Sequence, residues 1–184
     1  PSPRFLRVAY GLIILFELGL LANLWLNQTT DPTPSPWMLL GPSFFFLYFT
    51  TTLLLLVTSY LSPSNKWRLN LTSLHLFVTY SVAAIMYPLG FGFDGQIHRA
   101  TEEWIKLHGF IAPKLPLYIG QYTWVVWLSH ITKISVSLID IWLIPIAAAF
   151  VLPRIIADSL TKFFGIVERT SVNLMWLLPF VYFF

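Results

Sequence analysis

The sequence predicts an all-α, polytopic integral membrane protein with about four transmembrane helices and one interfacial amphipathic helix. Two observations carry that prediction. Of 184 residues, 57% are hydrophobic and only 10% are charged, with a mean hydropathy of +0.71, whereas soluble domains carry roughly 25% charged residues. A water-soluble fold of this length cannot hide so much apolar side chain. Several apolar runs also reach the ~20 residues that a helix needs to cross a ~30 Å hydrocarbon layer.

The first span is expected over about residues 5–26. It is followed by NQTTDPTPSPW (27–37), whose Pro, Ser, Thr and Asp content marks an aqueous loop. The second is expected over 38–61, and the turn SPSNKWRLN leads to a third over 71–91. Residues 94–116 are the most polar stretch, with Thr101, Glu102 and Glu103 marking a short surface helix. A fourth span begins near Leu117 and is expected to stop near Pro145, because a helix interior tolerates proline poorly. Residues 1–152 are thus read as a helical bundle and 153–184 as a separate tail. In that tail Ile156, Leu160, Phe163 and Val167 recur at helical spacing while Arg154, Asp158, Lys162, Glu168 and Arg169 take other positions, the pattern of an interfacial helix. The last fourteen residues are apolar but too few to cross upright, so a partner surface is expected for them.

Arg4, Arg7, Lys66, Arg68, Arg154, Lys162 and Arg169 fall on one side of this arrangement, and Arg99, Lys106 and Lys114 on the other among acids. The positive-inside tendency then places both termini on the cytoplasmic side, or on the matrix or stromal side in an organelle. The chain opens on Pro1 rather than Met, which follows from removal of a targeting peptide, from truncation or from an incomplete N-terminus. An organellar inner membrane, mitochondrial above all, is the expected location. With no cysteine, disulfides and thiolate metal sites are ruled out.

Within the expected fourth span, Thr123, His130, Lys133, Ser137 and Asp140 lie inside an arc of about 100° on a helical wheel. Lys133 would sit near the middle of the membrane, where an unpaired charge costs roughly 2.5–3.5 kcal/mol. Glu17 is the only acid at similar depth, so a buried Glu17–Lys133 pair, with His130 nearby, is expected to lock the first span to the fourth. A proton or ion path along Glu17, Lys133 and Asp140 is a further reading of the same stripe. His75 and His130 differ in depth by roughly 9 Å, which disfavours a bis-histidine haem, and His75 with Thr79 reads as an interhelical contact. No metal or cofactor motif is complete, and no nucleic-acid partner is expected.

Three segments, FLYFTTT (46–52), AAIMYPLG (83–90) and SHITKISVSLID (129–140), make the chain similar to the androgen-induced-gene family of membrane threonine hydrolases over its first 145 residues at most. That resemblance implies a lipid-ester hydrolase with Thr50 as nucleophile, His130 as base and Asp140 as a downstream acid. The sequence departs from the family in lacking its first Asn-His pair and in reading His-Ile-Thr for His-Thr. The leading expectation is instead a non-catalytic accessory subunit of a larger membrane complex, contacting membrane lipids and other subunits, with Thr50 and His130 active only under the hydrolase reading.

Overall fold

The computed structural model describes residues 2–62, 65–92, 94–110 and 118–175, and it is all-helical among them. Helix α1 (Pro3–Leu26) starts where Ser2 caps it, its hydroxyl accepting the Phe5 N–H at 3.3 Å, and Pro3 occupies a first-turn position that needs no N–H. Its inward stripe is Leu6, Ala9, Ile13, Glu17, Leu20 and Leu24, spaced three or four apart. A 3₁₀ turn (Pro36–Leu39) precedes α2 (Pro42–Leu61), which also opens on a proline. Helix α3 (Asn65–Met86) is central: 61% of its most apolar window is buried, against 22–28% for the other three candidate spans. Its exposed share is small because α1, α2 and the fourth apolar helix all pack on it.

Four helices are long and apolar enough to cross a membrane: Pro3–Leu26, Pro42–Leu61, Lys66–Met86 and Val136–Phe164. The first three match the expected spans with shifted ends, the third beginning at Lys66 rather than at 71. The fourth does not match. Residues 117–145 were expected to form one helix; instead α5 (Ile119–Thr132) ends at Lys133, which adopts a left-handed φ of 61°. The turn is built from local bonds. Lys133 N–H donates to Ser129 O at 3.0 Å, the Ser129 hydroxyl donates to Ile134 O at 2.7 Å, and Ser135 then caps α6 (Val136–Ile146) by accepting Leu138 N–H at 3.3 Å.

Pro145 does not end the helix either. The helix passes through it and then widens into a π-helical turn over Ala147–Val151, where Leu152 N–H donates to Ala147 O. The three alanines there let the widened turn sit against α3, with Ala149 wholly buried. Helix α7 (Leu152–Phe164) continues the same rod until Gly165 closes it at φ 65°. Residues 153–164 are therefore helical as expected, but they extend the fourth apolar helix rather than beginning a separate one. Helix α8 (Glu168–Leu174) folds back on α7 and α3. The tail beyond Met175, and Lys114, lie outside the described residues.

Successive apolar helices alternate in direction. At one end the Tyr10 ring stacks on Trp67 at 5.3 Å and its hydroxyl bonds to Ser62 at 2.5 Å, joining the start of α1 to the end of α2 and the start of α3. At the other end Thr29 N–H donates to Met86 O at 2.9 Å and Gln28 Nε2 to Ile85 O at 2.8 Å. The fourth helix runs antiparallel to α3, with Trp142 and Phe150 both on Phe77 and Arg154 reaching Asn70 and Ser73. Helix α4 (Gly95–His108) and α5 pack together and against α6 near the Met86 end.

Candidate functional site

Two apolar clusters fill the α1–α2–α3 bundle, one around Leu20, Leu24, Phe44, Val78 and Val82 and the other around Ile13, Leu55 and Leu71. A polar layer lies between them. Glu17, placed on the inward stripe of α1 between Ile13 and Leu20, is wholly buried, and its Oε1 lies 2.7 Å from His75 Nδ1 on α3, itself 1% exposed. The other imidazole nitrogen, Nε2, lies 3.0 Å from the Thr52 hydroxyl on α2. The Tyr48 ring stacks on the imidazole at 4.6 Å, and its hydroxyl bonds to Thr79 at 2.8 Å, while Thr79 donates to His75 O at 2.9 Å. Three helices thus meet through one carboxyl–imidazole–hydroxyl chain.

Proton positions follow from the network. Thr52 Oγ1 lies 2.9 Å from the Tyr48 carbonyl oxygen, which can only accept. With the hydroxyl proton directed there, Oγ1 is left to accept from His75 Nε2–H. The other ring nitrogen, Nδ1, faces Glu17 Oε1, and Glu17 Oε2 has no hydrogen-bond partner among the described residues.

The expected stripe is elsewhere. Glu17 does not meet Lys133, because the lysine sits on the exposed turn before α6 and not in the middle of a span. Its charge is solvated or headgroup-bound at a helix end, which removes the reason it needed a buried acid. Thr123, His130 and Ser137 are likewise exposed, Thr123 donating back to Ile119 O at 2.8 Å. Asp140 is half-buried and accepts from Gln121 Nε2 at 3.0 Å. Thr50 donates to Phe46 O at 2.7 Å, and His130 is on α5, whose partners are α4 and α6, so the expected nucleophile and base are not brought together.

A second buried acid was missed by the sequence reading. Glu102 on α4 is wholly buried, and neither carboxyl oxygen has a hydrogen-bond partner among the described residues. Loss of hydration first, then the nearby Asp140, pushes its carboxyl up to about 8, with Arg99 pulling the other way and Glu103 adding to the rise. It is therefore protonated at neutral pH. Beside it the buried Tyr122 hydroxyl bonds to His98 Nδ1 at 2.7 Å, and burial followed by the Glu102 charge raises the phenol above its ordinary value.

A cavity of about 400 Å³ opens between Pro34, Trp37, Thr79, Tyr80 and Phe91. It reaches Thr79, two contacts from the imidazole, but neither Thr52 nor His75 lines it. Among the described residues no three His, Asp or Glu side chains converge as a metal site. The fold and site together define an all-α membrane bundle whose first three helices are joined by a buried acid–imidazole–hydroxyl chain. Compared with family models, curated proteins and solved structures, the chain matches none.

Proposed function

We propose that the chain is a non-catalytic accessory subunit of a larger membrane complex in an organellar inner membrane, mitochondrial by preference, with its basic end on the matrix side. The observation that carries this reading is the fourth apolar helix with the arm that leads into it. Only 22% of the helix's most apolar window is buried, and its packing within the bundle runs along α3. The arm, α5, exposes Trp124, Trp127 and Ile131 beside Thr123 and His130, and Ser137 is exposed at the start of the helix itself. Acyl chains cover an apolar face well but not a mixed one, whereas a neighbouring protein supplies both apolar contact and hydrogen-bond acceptors. The basic residues Arg4, Arg7, Lys66, Arg154 and Lys162 gathered toward one end support the orientation.

The test is a photo-crosslinker at position 137 in native membranes, followed by mild extraction. A stoichiometric product with another polypeptide is expected. Crosslinks to lipid alone, with a monodisperse chain after extraction, overturn the reading.

One observation favours a second reading, an intramembrane lipid-ester hydrolase. The Glu17–His75–Thr52 chain has the order of a carboxylate, a base and a nucleophile. In that reading Thr52, not Thr50, attacks the ester carbonyl, and His75, not His130, takes its proton and returns it to the leaving alcohol. The Tyr48 carbonyl, 2.9 Å from Thr52 Oγ1, competes with the imidazole for the hydroxyl proton, which counts against it. Labelling by a fluorophosphonate that survives Thr50→Ala and is lost in Thr52→Ala supports hydrolysis; absence of labelling rejects it.

A further inference from the structure

The basic end of the bundle contains one guanidinium that the protein leaves unsatisfied. Arg68, in the first turns of α3, is 4% exposed, yet its Nε and Nη1 have no hydrogen-bond partner among the described residues. One turn further along the same face, the Thr72 hydroxyl is wholly buried and also has none. Arg154 shows what a satisfied arginine looks like here. Its guanidinium donates to Phe150 O, to Ser73 Oγ at 3.2 Å and to Asn70 Oδ1 at 3.0 Å.

The groups facing Arg68 sharpen the contrast. Helix α8 packs on α3 and brings Arg169 and Glu168 within electrostatic reach of it, and α1 brings Tyr10. Two guanidiniums against one carboxylate leave a net positive charge. Arg169 is itself exposed, its guanidinium 5.8 Å from the Tyr60 ring centroid. The N-terminal dipole of α3 adds to the same sign. A buried cation with unbonded N–H groups, a second, exposed arginine beside it and an unpartnered hydroxyl form a donor set for an oxyanion, since guanidinium groups bind phosphate with charge-assisted hydrogen bonds.

We propose that Arg68, Arg169 and Thr72 hold the phosphate group of an anionic phospholipid at the basic end of the bundle. A lipid headgroup is the occupant the position favours over a free ion. Arg68 lies at the end of an apolar span, level with the stacked Tyr10 and Trp67 pair, where aromatic side chains mark the headgroup zone. The net positive charge selects anionic over zwitterionic lipid. The site rests on the lipid-contacting part of the subunit reading, and it holds or fails whether or not partner polypeptides crosslink to position 137.

The experiment uses the full chain, purified in detergent, with native mass spectrometry to read retained lipid after titration with phosphatidylglycerol or phosphatidylcholine. Preferential retention of phosphatidylglycerol is expected, weakened about tenfold in Arg68→Gln and in Arg169→Gln. The second variant changes an exposed side chain, so the fold survives even if the first does not. Equal retention of the two lipids, or full retention by Arg169→Gln, overturns the proposal. Inorganic phosphate at millimolar concentration is the second arm. Failure to displace phosphatidylglycerol supports a headgroup; displacement, with phosphate binding lost in the same variants, overturns the lipid source in favour of the free ion.

Discussion

At the scale of single residues, hydrogen-bond partnership decides what the membrane bundle tolerates. Removing one member of the Glu17–His75 pair, 2.7 Å apart, has unequal effects. His75→Leu strands the Glu17 carboxyl without a partner and removes the Tyr48 stack, and a loss of roughly 3–5 kcal/mol is expected, as for other broken buried pairs. Glu17→Gln keeps an amide that donates to Nδ1 while Nε2–H still reaches Thr52, so about 1 kcal/mol is expected. Thermal denaturation in detergent should therefore rank wild type, then Glu17→Gln, then His75→Leu; the reverse order of the two variants overturns the assignment of the imidazole as the member that ties Glu17 to Thr52. Glu102 makes the opposite kind of statement, outside the spans. Its folded-state value near 8 lies above the ordinary 4.5, so its protonated form stabilises the fold. That contribution is whole below pH 4.5, declines as pH rises, and is lost once pH passes about 8. The melting temperature should fall between pH 5 and 8 in the wild type, and Glu102→Gln should flatten the fall. Glu17 was legible in the sequence as a buried acid in need of a partner, but the partner was not. Depth counted along an assumed helix pointed to Lys133, and nothing in a linear pattern distinguishes a histidine that shares a generic interhelical face with Thr79 on its own helix from one that closes a chain to Thr52 and Glu17.

At the scale of elements, three of the four apolar helices were readable because their apolar runs end in unmistakable punctuation, such as Asn27 to Trp37 and the SPSN turn. The fourth was misread for two opposing reasons. Residues 119–146 contain no glycine or proline near Lys133, so the break there leaves little trace beyond Thr132 and Ser135, whose hydroxyls bond the turn and cap α6. Pro145 advertises a stop that does not occur, because the helix runs on through it into a π turn and α7. Both misreadings come from treating local signals as decisive when a few hydroxyl bonds, or the pairing of small residues with α3, override them. The left-handed Lys133 gives a direct check. A non-glycine residue there costs about 1 kcal/mol, so Lys133→Gly should raise stability by up to about 1 kcal/mol. In a continuous helix the same change should lower it by about 1 kcal/mol, and a thermal shift of either sign distinguishes the two.

At the scale of the whole molecule, moving the fourth span from 117–145 to Val136–Phe164 reassigns where charges lie along the membrane normal. Lys133 passes from the apolar centre to the end shared with Thr33 and Met86, and the uncompensated charge that the earlier register implied disappears. The order of spans keeps the start of α1 and the end of α7 together, with Tyr10, Trp67 and Arg154 at that end. The absence of any native cysteine makes this topology testable one position at a time. In sealed, oriented vesicles, Thr33→Cys and Lys133→Cys should react with a membrane-impermeant maleimide from the same face, and Ser2→Cys and Lys162→Cys only from the opposite one. Were residues 117–145 the spanning helix, a cysteine at 133 would lie within hydrocarbon and stay unlabelled from both faces until detergent is added. Labelling of Lys133→Cys in intact vesicles therefore separates the two registers without reference to any partner, lipid or activity.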